Sequence, residues 1–219
     1  MDDFGIFAKY WEPGRVKTRL AVDLGFAAAS ELYREFLVTL VRRFAKCADM
    51  RTLVYTPDES ADEFMKLAGD CWSVEPQSQG CLGTRMTAFF DHRFEQNAER
   101  VVLIGSDSPS LPIKYVESAF RALHSSDVVL GPTDDGGYYL IGASQKVGGI
   151  FEAIDWSTDR VWEQTIARAE ALSLSYETQP GWYDVDDGND LKRLGIELAE
   201  VAAFDSNLNH LLQAINRII

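Results

Sequence analysis

The sequence predicts an α/β fold in which a mostly parallel, twisted sheet carries helices on both faces. Strand-like runs alternate with helix-like runs of about ten or more residues through most of the chain, the pattern of βαβ units. Residues 100–105 and 127–131 are almost continuous apolar runs, as expected of strands covered on both faces. The 219 residues, of which 46% are hydrophobic, suffice for one substantial core, and we expect a single domain, residues 1–219.

Six strands are predicted from short apolar runs that end at polar or turn residues. The run at 100–105 is the clearest of them, and the run at 71–74 is the weakest. In chain order, the predicted strands are residues 4–9, 52–56, 71–74, 100–105, 127–131 and 138–142.

Helices are predicted where apolar residues recur with the period of an α-helix. In residues 25–47, for example, Leu32, Phe36 and Leu40 keep that period. The apolar stripe of the last helix either packs into the core or forms the surface of a homodimer, and core packing is favoured. In chain order, the predicted helices cover about residues 25–47, 64–67, 86–97, 112–123, 159–171, 188–201 and 206–218.

The charge and composition exclude several classes of protein. With a formal net charge of -13 and a pI of about 4.6, the chain lacks the broad basic surface that binds nucleic acid or an anionic membrane. The three cysteines have no Cys-x-x-Cys spacing, which argues against a zinc site or a disulfide framework. No apolar stretch approaches the roughly 20 residues that span a bilayer, and the acidic N-terminus lacks a signal-peptide pattern. We therefore expect a cytoplasmic protein.

Four basic side chains gather in one loop of this acidic chain. Residues 9–19 lie between a predicted strand and a predicted helix and contain the turn Pro13-Gly14. Backbone N–H groups at a helix start, closed over by long basic side chains, commonly hold a phosphate chain. The alternative is a solvated basic turn, which the strand–loop–helix context disfavours. The basic residues are Lys9, Arg15, Lys17 and Arg19.

Asp107 directly follows the clearest predicted strand. An aspartate at the carboxyl end of a central parallel strand points into the crevice where such sheets bind ligands. One or two protein carboxylates are enough for Mg²⁺ or Mn²⁺ that is shared with substrate phosphates. Asp107 could instead cap the helix that begins near Pro112, but Ser110 is the better-placed cap. We therefore expect Asp107 to bind a metal or a ligand.

The segment Asp134-Asp135-Gly136-Gly137 follows the next predicted strand along the chain. Asp-Gly before strand-like residues usually marks a tight hairpin turn, and that is the alternative to a functional role here. The glycines would let a substrate approach the backbone closely. The position beside the Asp107 loop favours a place in the lining of the site, with Asp135 as the preferred residue.

A fourth acidic segment lies late in the chain. Asp184 and Asp186 alternate along it, so an extended backbone would place both on one face, where they could share a cation. Asp187 and Asn189 suit the positive end of the helix that follows.

Together these segments resemble one family. In their order and number they resemble the bacterial DUF2064 group, glycosyltransferase-like proteins of the GT-A, or nucleotide-diphospho-sugar transferase, superfamily. That group is similar to molybdenum-cofactor and phospholactate guanylyltransferases. The motifs lie within roughly residues 4–192 and are PGRVKTRL (13–20), QGCLGTRM (79–86), GSDSPSL (105–111), LGPTDDGGYYLIG (130–142), WST (156–158) and DVD (184–186).

The resemblance implies a three-layer α/β/α sandwich with a mixed sheet and a nucleotide over the first strand–helix loop. It also implies a divalent metal, Mg²⁺ or Mn²⁺, held by Asp107 and by Asp184 or Asp186. Lys17 and Arg19 would hold the diphosphate or triphosphate. Further contacts to the nucleotide or its phosphates would come from Pro13, Gly14, Arg15 and Thr18, and Gln79 and Arg85 would face the nucleotide or the acceptor. The substrate would be lined by Gly136, Gly137 and Trp156. Cys81 departs from the family, in which an Asp is usual before Leu82, and this puts the specificity of that loop in question.

The leading hypothesis is a metal-dependent transferase that uses an NDP-sugar or an NTP and an unknown small-molecule acceptor. In either reaction a cation and basic residues neutralise a leaving diphosphate. The positive cradle of the first loop favours nucleotidyl transfer. An inverting glycosyl transfer would also need an acidic general base, for which Asp135 and Asp155 are candidates. The competing class is a non-catalytic nucleotide-binding or regulatory module. The residues assigned to catalysis are Lys17, Asp107 and Asp135.

Overall fold

The computed structural model describes residues 1–219 and contains seven β-strands and eight α-helices. The strands are β1 (Asp2–Lys9), β2 (Met50–Thr56), β3 (Ser73–Pro76), β4 (Arg100–Ile104), β5 (Val128–Pro132), β6 (Tyr138–Ala143) and β7 (Tyr176–Thr178). The helices are α1 (Ala21–Leu24), α2 (Phe26–Arg43), α3 (Ala61–Ala68), α4 (Leu82–Glu95), α5 (Ile113–Ala122), α6 (Val161–Ala171), α7 (Gly188–Val201) and α8 (Ser206–Ile218). None of the helices combines the length and the apolar character that crossing a bilayer requires.

All seven strands form one sheet in the order β3-β2-β1-β4-β6-β5-β7. Every neighbouring pair is parallel except the two that involve β6, which runs antiparallel to both β4 and β5. The reversal follows from the short connection between β5 and β6, because a connection of this length can join only antiparallel strands. The predicted α/β fold with a mostly parallel, mixed sheet is confirmed.

Helices cover both faces of the sheet, and each face has its own core. The larger core has 38 buried residues and joins the sheet to α2, α3, α5, α7 and α8. The smaller core has 15 buried residues and joins the opposite face to α4 and α6. Side chains of β4 alternate between the two cores, as the pleat of a strand requires. The molecule is therefore a three-layer α/β/α sandwich.

The apolar stripe of α8 packs into the larger core. Leu208, Leu211 and Ile215 are buried there, and α8 lies against α2. Only the last residue of the stripe, Ile219, is largely exposed. Core packing, rather than a dimer surface, accounts for the stripe.

Several elements differ from the prediction, and helix α1 is not among the predicted helices. Strand β7 is absent from the predicted set because its three residues are all exposed and lie at the edge of the sheet. Strand β3 begins at Ser73 because residues 69–71 form a 3₁₀ turn. Helix α4 begins at Leu82, earlier than predicted, although Gly83 is a poor helix former. Gly83 fits because its missing side chain leaves room for the Phe151 carbonyl and the Trp156 ring.

The direction of the strands decides which residues meet at one edge of the sheet. β1, β2, β3 and β4 are parallel, so the segments that follow them open on the same side. Because β6 runs the other way, its first residue, Tyr138, lies at that edge. The candidate site lies there, as expected for an α/β sheet.

Candidate active site

The carboxyl edge of the sheet opens into a cleft of about 700 Å³. Most of its lining comes from the end of β1 and the loop after it, the segment from Gln77 to Arg85, the loop after β4, the start of β6, and the segment before α7. Tyr33 on α2 and Ser157 complete the lining. The sequence-predicted residues that line it are Arg15, Lys17, Thr18, Arg19, Arg85, Asp107, Asp184 and Asp186. Most of the predicted phosphate and metal residues therefore share one cavity.

The loop after β1 is anchored by apolar side chains and shaped by two unusual backbone conformations. Val16 and Leu20 are buried in the larger core, which holds the loop against the sheet. Gly14 and Lys17 both have positive φ values, 83° and 46°. This region is easy for glycine and uncommon for lysine. The loop thus turns sharply on each side of Val16, and Lys17 points into the cleft while Arg15 and Arg19 remain at its rim.

Lys17 lies at the centre of the acidic residues. Only 3% of its side chain is exposed, and its Nζ atom contacts Asp107 and lies 2.9 Å from Asp186 Oδ1. Burial alone would lower the pKa of this amine, but the two carboxylates outweigh it and the pKa is raised. Lys17 therefore carries a positive charge at neutral pH.

Asp184 is the most perturbed acid of the site. Its Oδ1 atom accepts a hydrogen bond of 2.6 Å from the Ser108 hydroxyl. Burial and the neighbouring negative charge of Asp107 raise its pKa to about 7, although the Ser108 hydrogen bond and Lys17 favour the ionised form. Burial, with the charge of Asp107, therefore disfavours the ionised form of Asp184.

The alternation of Asp184 and Asp186 has the geometry that their spacing suggests. Val185 between them is fully buried, and both carboxylates line the cleft on the opposite side of the backbone. The Val185 N–H donates to the Asp107 carbonyl at 2.8 Å, which fixes this segment beside the loop after β4. Asp187 caps α7 as expected: its side chain accepts from the backbone N–H groups of Asn189 and Asp190, and Asp190 completes a capping box.

Helix α5 begins without the predicted cap. Its N-cap is Pro112, whose side chain cannot form a capping hydrogen bond. The Ser110 hydroxyl instead donates to Glu197 at 3.1 Å. The prediction that Ser110 caps this helix was wrong, because the Glu197 carboxylate on α7 takes its hydroxyl. Asp107 does not cap the helix either, and its carboxylate contacts Lys17 instead.

Tyr33 and Ser106 line the cleft but are not among the predicted residues. Their hydroxyl oxygens are hydrogen-bonded at 2.7 Å, and Tyr33 Oη also accepts from the Lys9 backbone N–H at 3.0 Å. Burial, with the charge of Asp107, raises the pKa of Tyr33 to about 12. Tyr33 thus stays protonated and ties α2 to the ends of β1 and β4. Nothing in the sequence marks it, because it occupies an apolar position in the helix period.

Gln77, rather than Gln79, is the glutamine that lines the cleft. Its amide nitrogen donates to the carbonyls of Ala8 and Val54, both at 3.1 Å. Its oxygen accepts from Arg85 Nη1 at 3.2 Å. Gln79 is exposed and lies outside the lining. The position of Gln77 directly after β3 is the signal that could have identified it.

Arg85 is oriented by two hydrogen bonds. Its Nη1 donates to Gln77, and its Nε donates to the Gly80 carbonyl at 2.9 Å. A guanidinium group has five N–H donors in a rigid plane, so the remaining donors have a fixed direction in the cleft. Arg85 can therefore donate hydrogen bonds to a ligand in the cleft.

Several predicted residues do not line the cleft. Asp135 lies in the turn between β5 and β6, where its Oδ1 accepts from the Thr133 hydroxyl at 2.6 Å and from the Gly137 N–H at 3.1 Å. Asp155 accepts from Arg160 and Gln164 at the surface. The predicted residues that the lining does not include are Pro13, Gly14, Gln79, Asp135, Gly136, Gly137 and Trp156.

The acidic residues of the cleft are of the type that binds a divalent metal, but their present geometry does not form a metal site. With Lys17 among them, no group of three or more acidic, histidine or cysteine side chains is arranged to hold a metal ion. Asp107, Asp184 and Asp186 nevertheless supply the carboxylate oxygens that Mg²⁺ and Mn²⁺ prefer. A cation beside Asp184 would favour its ionised form, which burial and the charge of Asp107 disfavour. The donor set fits such an ion.

Comparison with protein families gives one match. The model of a family described as an uncharacterized protein conserved in bacteria (DUF2064) matches residues 39–158, more than half of the chain. No curated protein matches the chain in sequence.

Solved structures share the fold along nearly the whole chain. A proposed nucleotide-diphospho-sugar transferase from Desulfovibrio desulfuricans G20 is 29% identical, with a TM-score of 0.87 over 99% of this chain and 97% of that one. The inositol-1-phosphate CTP transferase from T. maritima is 15% identical, with a TM-score of 0.53 over 96% and 95% of the two chains. Rv0371c from Mycobacterium tuberculosis H37Rv, solved in complex with manganese, is 17% identical, with a TM-score of 0.51 over 88% and 97%. The last two likenesses show the fold alone.

Proposed function

The chain belongs to the DUF2064 family of bacterial proteins, and from this premise we propose that it is a metal-dependent transferase with a nucleotide donor. Nucleotidyl transfer from an NTP is the reaction that we favour. The observation that carries the proposal is the arrangement of Lys17 between Asp107 and Asp186, with Arg15 and Arg19 at the rim of the same cleft. This combination of cations and carboxylates suits a phosphate chain and a metal ion together.

The basic residues would act on the departing group. Arg15 and Arg19 have side chains that are 79% and 78% exposed, so they are free to close over a phosphate chain that enters the cleft. Their nearest carboxylates lie 3.9 Å away, and such exposed pairs stabilise little. Transfer of a nucleotidyl group releases pyrophosphate, whose growing negative charge these residues would neutralise. A positive cradle of this strength suits a leaving pyrophosphate better than a leaving NDP.

The acidic residues would hold the metal. Asp107 would be one ligand and Asp184 or Asp186 the second, and a bound Mg²⁺ or Mn²⁺ would neutralise charge on the phosphates. Tyr33 and Ser106 would keep the ends of β1 and β4 in register beside these ligands. Arg85, oriented by Gln77, would contact an acceptor atom on the nucleotide or on the second substrate.

The neighbouring structures support a reaction of this class. The protein from Desulfovibrio desulfuricans G20 is described as a proposed nucleotide-diphospho-sugar transferase, and the protein from T. maritima as an inositol-1-phosphate CTP transferase. Rv0371c was solved with manganese. Each description applies to the protein that carries it, and the last two proteins share only the fold with this chain. The nucleotide and the metal are proposed here from the residues of the cleft itself.

A thermal-shift screen tests the proposal. Purified protein is heated with each common NTP and NDP-sugar, with and without Mg²⁺ or Mn²⁺. A ligand present at about 100 times its Kd adds about 2.7 kcal/mol to the stability of the native state, which corresponds to several degrees in melting temperature. We expect a metal-dependent shift, larger with an NTP than with the matching NDP-sugar. The absence of any such shift would refute the nucleotide assignment.

A non-catalytic nucleotide-binding or regulatory module is the competing class. Lys17→Ala and Asp107→Ala separate the two classes once a transfer activity has been measured with any acceptor. A catalytic site loses that activity in both variants. Activity that survives both substitutions would show that the catalytic assignment is wrong.

A further inference from the structure

We propose that Lys17 stands in for the metal: in the ligand-free protein its ammonium group occupies the place among the carboxylates that a divalent ion takes when the nucleotide binds. The inference rests on the proposed function of this cleft and adds how the site controls metal binding. It predicts that the free protein binds metal weakly and that a bound nucleotide draws the Lys17 ammonium group away from the carboxylates.

The ammonium group lies where a shared metal would lie. Lys17 is 3% exposed, and it contacts Asp107 and Asp186, one from the loop after β4 and one from the segment before α7. These two carboxylates are the residues that a metal shared between those segments would use. Arg19 also approaches Asp186, at 3.9 Å, but its side chain is 78% exposed and does not enter the space between the two acids.

The ammonium group and the metal exclude each other. A divalent ion shared by Asp107 and Asp186 binds carboxylate oxygens directly, and one oxygen of each, Oδ1, already contacts Lys17 Nζ. Two cations at such short range also repel each other strongly where solvent screening is weak.

Lys17 can leave the carboxylates only if another anion receives it. An ammonium group taken away from its carboxylates inside the cleft would be buried without a partner, which is strongly unfavourable. The phosphates of a nucleotide supply that partner. The flexible four-carbon stem of lysine lets the charge move while the anchored loop stays in place. Lys17 would therefore move away from the carboxylates when a nucleotide binds.

Metal and nucleotide binding become reciprocal as a result. If the nucleotide releases the carboxylates from Lys17, it raises their affinity for metal, and the metal raises the affinity for nucleotide by the same factor. Part of any such coupling comes from direct contact between metal and phosphate. The contribution of Lys17 is therefore measured without nucleotide, where that contact does not exist.

The experiment is a titration of Mn²⁺ followed by electron paramagnetic resonance, which detects free Mn²⁺ and needs no enzymatic activity. Wild type, Lys17→Met and Arg19→Met are compared without nucleotide. Both variants remove one positive charge from the same loop beside Asp186, but only Lys17→Met vacates the space between the carboxylates. We expect Lys17→Met to bind Mn²⁺ about tenfold or more tightly than wild type, the factor that one charge-assisted hydrogen bond represents. Arg19→Met should gain much less.

Three results would overturn the inference. They are equal Mn²⁺ affinity in wild type and Lys17→Met, an equal gain in Arg19→Met, and no Mn²⁺ binding in any variant with or without NTP. The first two leave the proposed function intact if the wild-type thermal shift with nucleotide and metal is present. The third, together with the absence of that shift, refutes the proposed function as well. If Lys17→Met does not fold, Lys17→Gln, which keeps a donor but no charge, is measured in its place with the same expectation.

Discussion

The ammonium group of Lys17 lies 2.9 Å from the Asp186 carboxylate, although 169 positions of sequence separate the two residues. The contact joins the first loop of the chain to the segment that precedes α7. It is buried on the lysine side and half-open on the carboxylate side. A phosphate that enters the cleft therefore meets a cation already fixed in direction.

The first prediction concerns nucleotide affinity. Lys17→Ala removes a buried cation that would bind phosphate, and hydrogen bonds to charged groups contribute about 1.5–3 kcal/mol. We expect the Kd for an NTP, measured calorimetrically with Mg²⁺, to rise at least tenfold. Lys146→Ala is the control, because Lys146 pairs with Glu95 on the surface and lies outside the cleft lining. Equal affinity in wild type and Lys17→Ala would contradict the phosphate-binding role.

The second prediction separates the two glutamines near β3. Gln77→Leu leaves the carbonyls of Ala8 and Val54 without their side-chain donor and frees Arg85. Loss of a buried hydrogen-bond partner costs about 1–3 kcal/mol, so the free energy of unfolding in urea should fall by about that amount. Gln79→Leu changes an exposed side chain two residues away and should alter it by less than about 0.5 kcal/mol. Equal effects would show that the buried amide network is not what distinguishes Gln77.

The third prediction compares two glycines. Gly136 has a φ of 86°, and a Cβ atom there would lie 2.2 Å from the Asp159 carbonyl oxygen. Gly136→Ala should therefore destabilise the protein by about 2 kcal/mol or more. Gly195 lies inside α7, where an added Cβ atom would meet no other group within 4 Å, so Gly195→Ala should stabilise by about 0.5–1 kcal/mol. Thermal unfolding should move in opposite directions for the two variants, and a shared direction would contradict the packing described here.

The fourth prediction concerns pH and a buried acid far from the cleft. Asp3 is 2% exposed on β1, and its Oδ1 atom has no hydrogen-bond partner. Burial raises its pKa above the ordinary value of 3.8, although the charge of Arg93 opposes this. The folded protein therefore keeps the Asp3 proton over a pH range in which the unfolded chain has lost it, and the stability due to this group falls as the pH rises through that range.

Asp3→Asn removes this pH dependence. We expect the variant to be more stable than wild type in urea at pH 7, with a difference that shrinks towards pH 4. Taking the difference between variant and wild type at each pH cancels the contribution of all other titrating groups. Asp2→Asn, which loses a carboxylate paired with Arg100, should show no gain in stability at pH 7. A difference for Asp3→Asn that does not depend on pH would contradict the assignment.

Much of the fold could be predicted because its signals are local. Apart from Arg100, the strands at 100–104 and 128–132 are apolar. Helices α7 and α8 have the predicted limits because acidic caps begin them at Asp187 and Asp205. Strand β7 could not be predicted, since an exposed three-residue edge strand has no pattern of its own and depends on pairing with β5.

The candidate site divides in the same way. Charged residues at strand ends, such as Lys17 and Asp107, could be predicted because few other roles suit them there. Tyr33 and Gln77 could not, because their roles depend on carbonyls and hydroxyls that only the folded chain brings near them. For Asp135 the motif suggested a place in the site, but the folded chain does not put it there. Its carboxylate instead accepts hydrogen bonds from residues of its own turn.

The 169 positions between Lys17 and Asp186 also determine the order in which the two residues are synthesised. Proteins emerge from the ribosome N-terminus first, so the basic loop exists long before the acidic segment that neutralises it. Until residue 186 has been synthesised, the Lys17 ammonium group has only part of its anionic environment and no closed cleft to enter. A chain that stops before that point would contain the basic loop but would lack Asp184 and Asp186, which line the cleft. The site is therefore completed only late in synthesis.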